Sequence, residues 1–175
     1  VKQYIQSLAD KYNTKGKSRQ FTTATGNTVT VEGGSYGWRI DQDAEYEALI
    51  ANIQNGETVT REPSYSSRGA SHGAIDIGTT YAEVDLTNQR AYFIKDGAVV
   101  LDSPIVTGNP NKGNATPQGT YFLSYKTRDA VLRGDRLPDG SYTYESPVKY
   151  WMPFNGGIGF HDASWQASFG GDRYK

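Results

Sequence analysis

YAEVDLTNQRAYFIKDGAVVLDSPIVTG, residues 81–108, is the stretch on which the fold turns. Its runs YAEVDL, RAYFIK and AVVLDSPIVTG are rich in Val, Ile, Tyr and Phe, whose branched or aromatic side chains suit a pleated, half-buried surface. Between the second and third runs stands Asp96-Gly97, a pair that readily takes the positive φ angles of a two-residue hairpin turn. GTYFLSYKT, residues 119–127, continues the same composition. The chain beyond about residue 78 therefore reads as mostly sheet.

Upstream the pattern changes. Val1, Ile5, Leu8 and Tyr12 recur at offsets of four, three and four, which is one face of a helix. FTTATGNTVTV places Gly26-Asn27 between two Thr- and Val-rich runs and predicts a hairpin. After it, Asp41 or Asp43 can cap a second helix in which Tyr46, Leu49, Ile50 and Ile53 share a face, with Asn55-Gly56 ending it. From Gly56 to Gly78 the sequence is polar, rich in Ser and Gly, and without helical period, so a domain boundary is expected late in that stretch. The expectation is an α+β protein in two domains: a small helix, hairpin, helix unit over residues 1–77 and a β-rich domain over residues 78–175.

Composition narrows the function. The 175 residues include 13 Tyr, 3 Trp and 20 Gly, with a formal charge of −1. No run of Lys and Arg forms a block able to neutralise a row of phosphates, which argues against nucleic acid as partner. No stretch approaches the roughly 18 to 20 apolar residues of a membrane span. The chain contains no Cys, so disulfides, thiolate metal sites and a cysteine nucleophile are all excluded within it. Its two histidines, His72 and His161, stand far apart and without any spacing typical of metal ligands. No metal and no cofactor is expected.

YAEVDLTNQRAYFIKDG, SPIVTGNPNKGNATPQGTYFL, YWMPFNGGIGFHDASW and FGGDRY occur in that order. Together they resemble the catalytic domain of the L,D-transpeptidases, the YkuD-type enzymes that cross-link bacterial peptidoglycan. Residues 1–77 resemble the latter part of the accessory, peptidoglycan-binding-like domain that precedes the catalytic domain in Gram-positive members. The resemblance implies that Thr116, Pro117 and Gly119 form a turn and that His161 is the catalytic histidine. It further implies that the main-chain carbonyl of Asp162 orients the imidazole. Tyr144, Met152, Gly156, Gly157 and Trp165 correspond to positions near the donor groove. In the family a Ser-His-Gly-Cys motif carrying the nucleophile follows the GGD turn; the resemblance implies that this motif lies beyond Lys175. SHGA at Ser71–Ala74 imitates it with Ala in place of Cys, but precedes the sheet domain, and His72 there reads as a surface residue.

Acyl transfer between peptides needs a nucleophile, a base to ionise it and donors for the oxyanion. By resemblance the donor is a stem tetrapeptide attacked at its third residue, the acceptor is a side-chain amine of another stem, and carbapenems acylate the same thiol. The setting implied is the outer face of the cytoplasmic membrane or the cell wall, with any membrane anchor outside this chain. Two other readings stay open. A lone histidine ending an apolar run is commonly structural, and Trp151, Met152, Phe154 and Trp165 could all be core. The protein could also be a non-catalytic module that binds wall peptides. Of the two histidines, His161 is expected to be substantially buried beside a groove and His72 to be solvated.

Overall fold

A computed structural model describes residues 1–174. In chain order it contains α1 (Lys2–Tyr12), β1 (Arg19–Thr22), β2 (Thr28–Val31), β3 (Arg39–Ile40), α2 (Gln42–Gln54), β4 (Tyr65–Ser67), β5 (Tyr81–Asp85), β6 (Arg90–Lys95) and β7 (Ala98–Pro104). A short 3-10 turn (Pro110–Lys112) follows, then β8 (Thr127–Arg133), β9 (Glu145–Asn155) and β10 (Ile158–His161). The class is α+β, as the sequence predicts. Two compact units emerge: Val1–Val84 with Ala91–Ser103 and Pro117–Thr120 form one, and Asp85–Arg90, Pro104–Thr116 and the chain from Tyr121 onward form the other.

In the first unit α1, β3 and α2 enclose a core of Ile5, Ala9 and Ile40, against which Leu8, Tyr46, Leu49 and Tyr65 pack. The buried stripe of α1 is narrower than its apolar spacing suggests. Ile5 and Ala9 are buried, while Val1 and Tyr12 at the ends of this short helix reach past its neighbours into solvent. Asp41 caps α2 by accepting from Ala44 N at 3.1 Å, and Gly56 follows the last turn at φ +66°. The β1–β2 hairpin pairs Phe21 with Val29, and Phe21 meets Tyr81 edge-on at 5.5 Å.

The polar stretch after Gly56 is more ordered than its composition suggests. β4 pairs antiparallel with β3, and Arg61 donates to the buried Glu45 carboxylate at 2.9 and 3.1 Å, where Ser64 N also donates at 2.7 Å. Further on, Asp76 is buried and held by Arg19 Nε and Nη2 at 2.7 and 2.8 Å and by Thr14 Oγ1. Tyr36 completes this knot, donating to Asp76 O at 3.0 Å and accepting from Ala70 N at 2.7 Å. Gly34 and Thr120 form an isolated parallel bridge, so close that a Cβ on Gly34 would lie 2.1 Å from Thr120 O. β5, β6 and β7 make a three-stranded sheet in that order, and the expected turn between β6 and β7 has positive φ at both Asp96 and Gly97.

The second unit is built on an antiparallel sheet of order β10-β9-β8. Gln89, buried and at φ +53°, ties the β5–β6 turn to the segment after β7: its side chain donates to Leu86 O and Thr107 Oγ1 and accepts from Thr107 N. The run at 119–127 is not a regular strand. Apart from the Thr120 bridge to Gly34 it stays outside the ladders until Thr127, with Ser124 N donating to Pro153 O at 2.8 Å, because β-rich composition alone supplies no partner strand. Among the described residues no helix is long and apolar enough to cross a membrane.

Candidate active site

The site grows from the β9–β10 hairpin. Gly156 and Gly157 turn the chain between Asn155 and Ile158, Gly156 taking φ +55°, and the register then shifts between Ile158 and Gly159. Past this bulge Gly159 faces Pro153 so closely that an added Cβ would come within 2.5 Å of Pro153 Cα. Phe160 then pairs with Met152, and His161 with Trp151. Opposed residues of a ladder project on the same face, so the imidazole shares a face with the buried Trp151 indole. Their rings are 6.0 Å apart, and Trp165 comes to 5.8 Å from the imidazole. Trp151 Nε1 donates to Tyr125 OH at 3.3 Å, which fixes the indole. Phe160 lies on the opposite face with Phe154 at 5.4 Å, and Phe154 with Tyr121 at 5.6 Å.

His161 Nδ1 stands 2.9 Å from the main-chain oxygen of Asp162. A carbonyl oxygen can only accept, so Nδ1 carries the hydrogen; in the neutral ring Nε2 is then left with its lone pair. The Asp162 carboxylate turns the other way and accepts from Tyr150 N at 2.8 Å. That bond, with a second from Lys149 N, holds its carboxyl below the usual carboxylate range. Asp162 is thus anchored to β9 through its side chain while its carbonyl aims the ring. Beside it opens a cleft of about 610 Å³ walled by Asp129–Val131, Pro147–Lys149 and Asp162–Ser164.

The imidazole is exposed rather than buried. Among the described residues β9 is the one ladder neighbour of β10, and the rings that approach the imidazole are Trp151 and Trp165. His72 is 55% exposed yet not free: it stacks on Trp38 at 3.9 Å and approaches Glu62 at 3.5 Å.

The residues matched by the L,D-transpeptidase catalytic domain family are 79–174, more than half of the chain. The chain belongs to the L,D-transpeptidase family. Residues 1–61 match a second family, described as "Putative peptidoglycan binding domain". Among solved L,D-transpeptidases, a cysteine-to-serine mutant of the Enterococcus faecium enzyme is 40% identical, with a TM-score of 0.79 over 99% of this chain and 67% of that one. The Ldtfm–avibactam carbamoyl enzyme is likewise 40% identical, with a TM-score of 0.80 over 99% of this chain and 66% of its own. The E. faecium catalytic domain acylated by ertapenem is 47% identical, covering 55% of this chain and 73% of that one at a TM-score of 0.47. This chain therefore spans about two thirds of the first two L,D-transpeptidase structures. Comparison with the curated proteins returned no match.

Of the residues that the L,D-transpeptidase resemblance implies, the structure gathers His161, Asp162 and Trp165. Met152 is adjacent but on the face opposite to His161. Gly156 and Gly157 form the hairpin turn one strand length away. Tyr144 precedes β9, and the seven steps from it to Trp151 amount to about 23 Å of strand rise. Trp151 is buried, as the core reading of its sequence expects, and Gly159 and Tyr125 are not singled out by sequence. The alternation of Ile158, Gly159 and Phe160 was the available signal for Gly159, since a glycine inside a strand marks a bulge or a close approach of backbones.

Proposed function

We propose that this chain carries the general-base half of a cysteine-dependent peptidoglycan L,D-transpeptidase. The observation behind this reading is the 2.9 Å contact of His161 Nδ1 with Asp162 O: with Nδ1–H directed there, Nε2 can take the proton of a thiol. The resulting thiolate attacks the carbonyl of the third residue of a stem tetrapeptide. Expulsion of the terminal D-Ala amine takes the proton back from the imidazolium and leaves a thioester. A side-chain amine of another stem then displaces the thiol and closes the cross-link.

The thiol comes from outside residues 1–175, consistent with the cysteine-to-serine mutation named for the E. faecium relative. Alone, this chain forms no thioester. Carbapenems, as acylating inhibitors, would need the same thiol. Trp165, Met152, Gly156 and Gly157 are proposed to line the donor's path. Tyr144, just before β9, is proposed to lie on the same path at its outer end. We propose a functional boundary at 77/78; the separation of the family matches at 1–61 and 79–174 supports it. The working place is the wall side of the membrane, with attachment supplied by a segment outside this chain.

The test is intact-protein mass spectrometry with a carbapenem. The 175-residue chain should gain no mass, and a longer piece of the parent chain that includes the thiol should gain one adduct. In that longer piece His161→Ala should slow acylation by about 10²–10⁴-fold without loss of fold. An adduct on the short chain, or an unimpaired His161→Ala protein, would sink the assignment. The alternative, a non-catalytic wall-peptide module, draws support from the match over residues 1–61. A longer piece that binds wall peptides but has no acylable thiol would favour it.

A further inference from the structure

Between the C-terminal end of α1 and β3 the first unit carries an open groove of about 490 Å³. Lys15, Lys17 and Arg39 line it, against one carboxylate, Asp10. Backbone contacts fix the chain at Lys15 and Arg39, and a main-chain oxygen holds the Lys17 ammonium. Lys15 N donates to Trp38 O at 3.1 Å, Arg39 pairs with Ser67 across the β3–β4 ladder, and Lys17 Nζ donates to Asp10 O at 3.2 Å. Among the described residues neither Lys15 nor Arg39 forms an ion pair. Asp10 is engaged by Gln6 Nε2 at 2.7 Å. Asn13 also lines the groove, and its Oδ1 accepts from Ile40 N at 2.8 Å, leaving its amide N–H groups as the donors on offer. Gly16, at φ +74°, leaves the floor bare: a Cβ there would find no atom nearer than Gly34 O at 3.7 Å.

A concave surface with an excess of positive charge concentrates field on whatever enters it, and its charged donors bind carboxylates more strongly than neutral ones do. We propose that this groove is a docking site for the carboxylates of peptidoglycan stem peptides. The choice among anions rests on position, since the groove residues all fall within the match at residues 1–61. The proposal depends on the cell-wall reading above but not on acyl transfer.

Cosedimentation of the 175-residue chain with insoluble peptidoglycan tests it, using walls stripped of phosphate polymers and subtracting whatever pellets without them. Three walls are compared: native, carboxyl groups capped as methylamides, and walls that retain their phosphate polymers. Lys15→Gln, Lys17→Gln and Arg39→Gln combined should weaken binding to stripped peptidoglycan tenfold or more, while Arg39→Lys should retain most of it. Capping should cause a comparable loss, and added salt should weaken binding progressively. Should the triple variant fail to melt cooperatively, Lys15→Gln and Arg39→Gln are measured singly, each expected to lose two- to fivefold. Unchanged binding by folded variants, or equal binding to capped walls, overturns the proposal. So does binding confined to walls retaining phosphate polymers, which would make the ligand a phosphodiester. Because the readout is binding, a failed acylation experiment leaves this result standing, and the reverse holds too.

Discussion

Asp76 shows how one buried carboxylate can organise a segment whose composition looks like linker. Burial pushes its carboxyl up, but the hydrogen bonds from Arg19 and Thr14 and the Arg19 charge outweigh this and hold it below the usual carboxylate range. A group depressed in the folded state stabilises the fold at neutral pH, and that stabilisation is lost as pH falls below about 4 towards the folded value. Asp76→Asn leaves the Arg19 guanidinium, itself only 9% exposed, without its counter-charge. Removing one partner of a buried pair costs about 3–5 kcal/mol. Urea unfolding followed across pH 3–7 should show this loss at pH 7, with the gap to the original protein narrowing in acid. A gap independent of pH would mean that the effect lies elsewhere than in the charge. Neither Asp76 nor the buried Glu45 stands out in the sequence, because each is recognised only through a cation that the fold brings to it. Asp41 was legible as a cap because its partner, Ala44 N, lies three residues away.

The same contrast between local and distant partners runs through the elements. α1, α2 and the hairpins at Gly26 and Asp96-Gly97 were readable, since helical period, caps and turn residues act within a few positions. β4 was hidden because its partner β3 lies some 25 residues upstream in a strand of two residues. Residues 119–127 were overread for the opposite reason, having strand composition without a ladder. At the candidate site the histidine and its carbonyl partner came from resemblance alone; nothing in the spacing of His161 and Asp162 announces them. The β9–β10 hairpin offers a direct test of how the ring is placed. Gly159→Ala puts a methyl against Pro153, and backbone cannot yield as a flexible side chain does, so we expect a loss of about 1–3 kcal/mol. The register of β10 should shift with it. NMR should report this as lost cross-strand contacts between His161 and Trp151, and a spectrum that keeps them would show that the bulge absorbs the methyl.

At the scale of the whole molecule, exposed apolar surface governs behaviour in solution. β7 is the edge of its sheet, and Val99, Val100 and Leu101 on it are 49%, 56% and 55% exposed. An apolar edge strand is a template for pairing with another chain. Sedimentation velocity on the 175-residue chain should show association that grows with concentration, and Val100→Lys should reduce it. A chain that stays monomeric at high concentration and melts cooperatively would count against this reading of the edge. The bridge between Gly34 and Thr120 acts on a different axis, that of time. A chain that emerges N-terminus first cannot close its first unit when α1, α2 and the first hairpin are out. It must wait for 66 more residues after Gln54, roughly 3 to 13 s at common rates of synthesis. Until then the buried knot around Asp76 can form but the backbone of Gly34 has nothing to lie against, so the half-made unit is open to proteases and to premature partners for that interval.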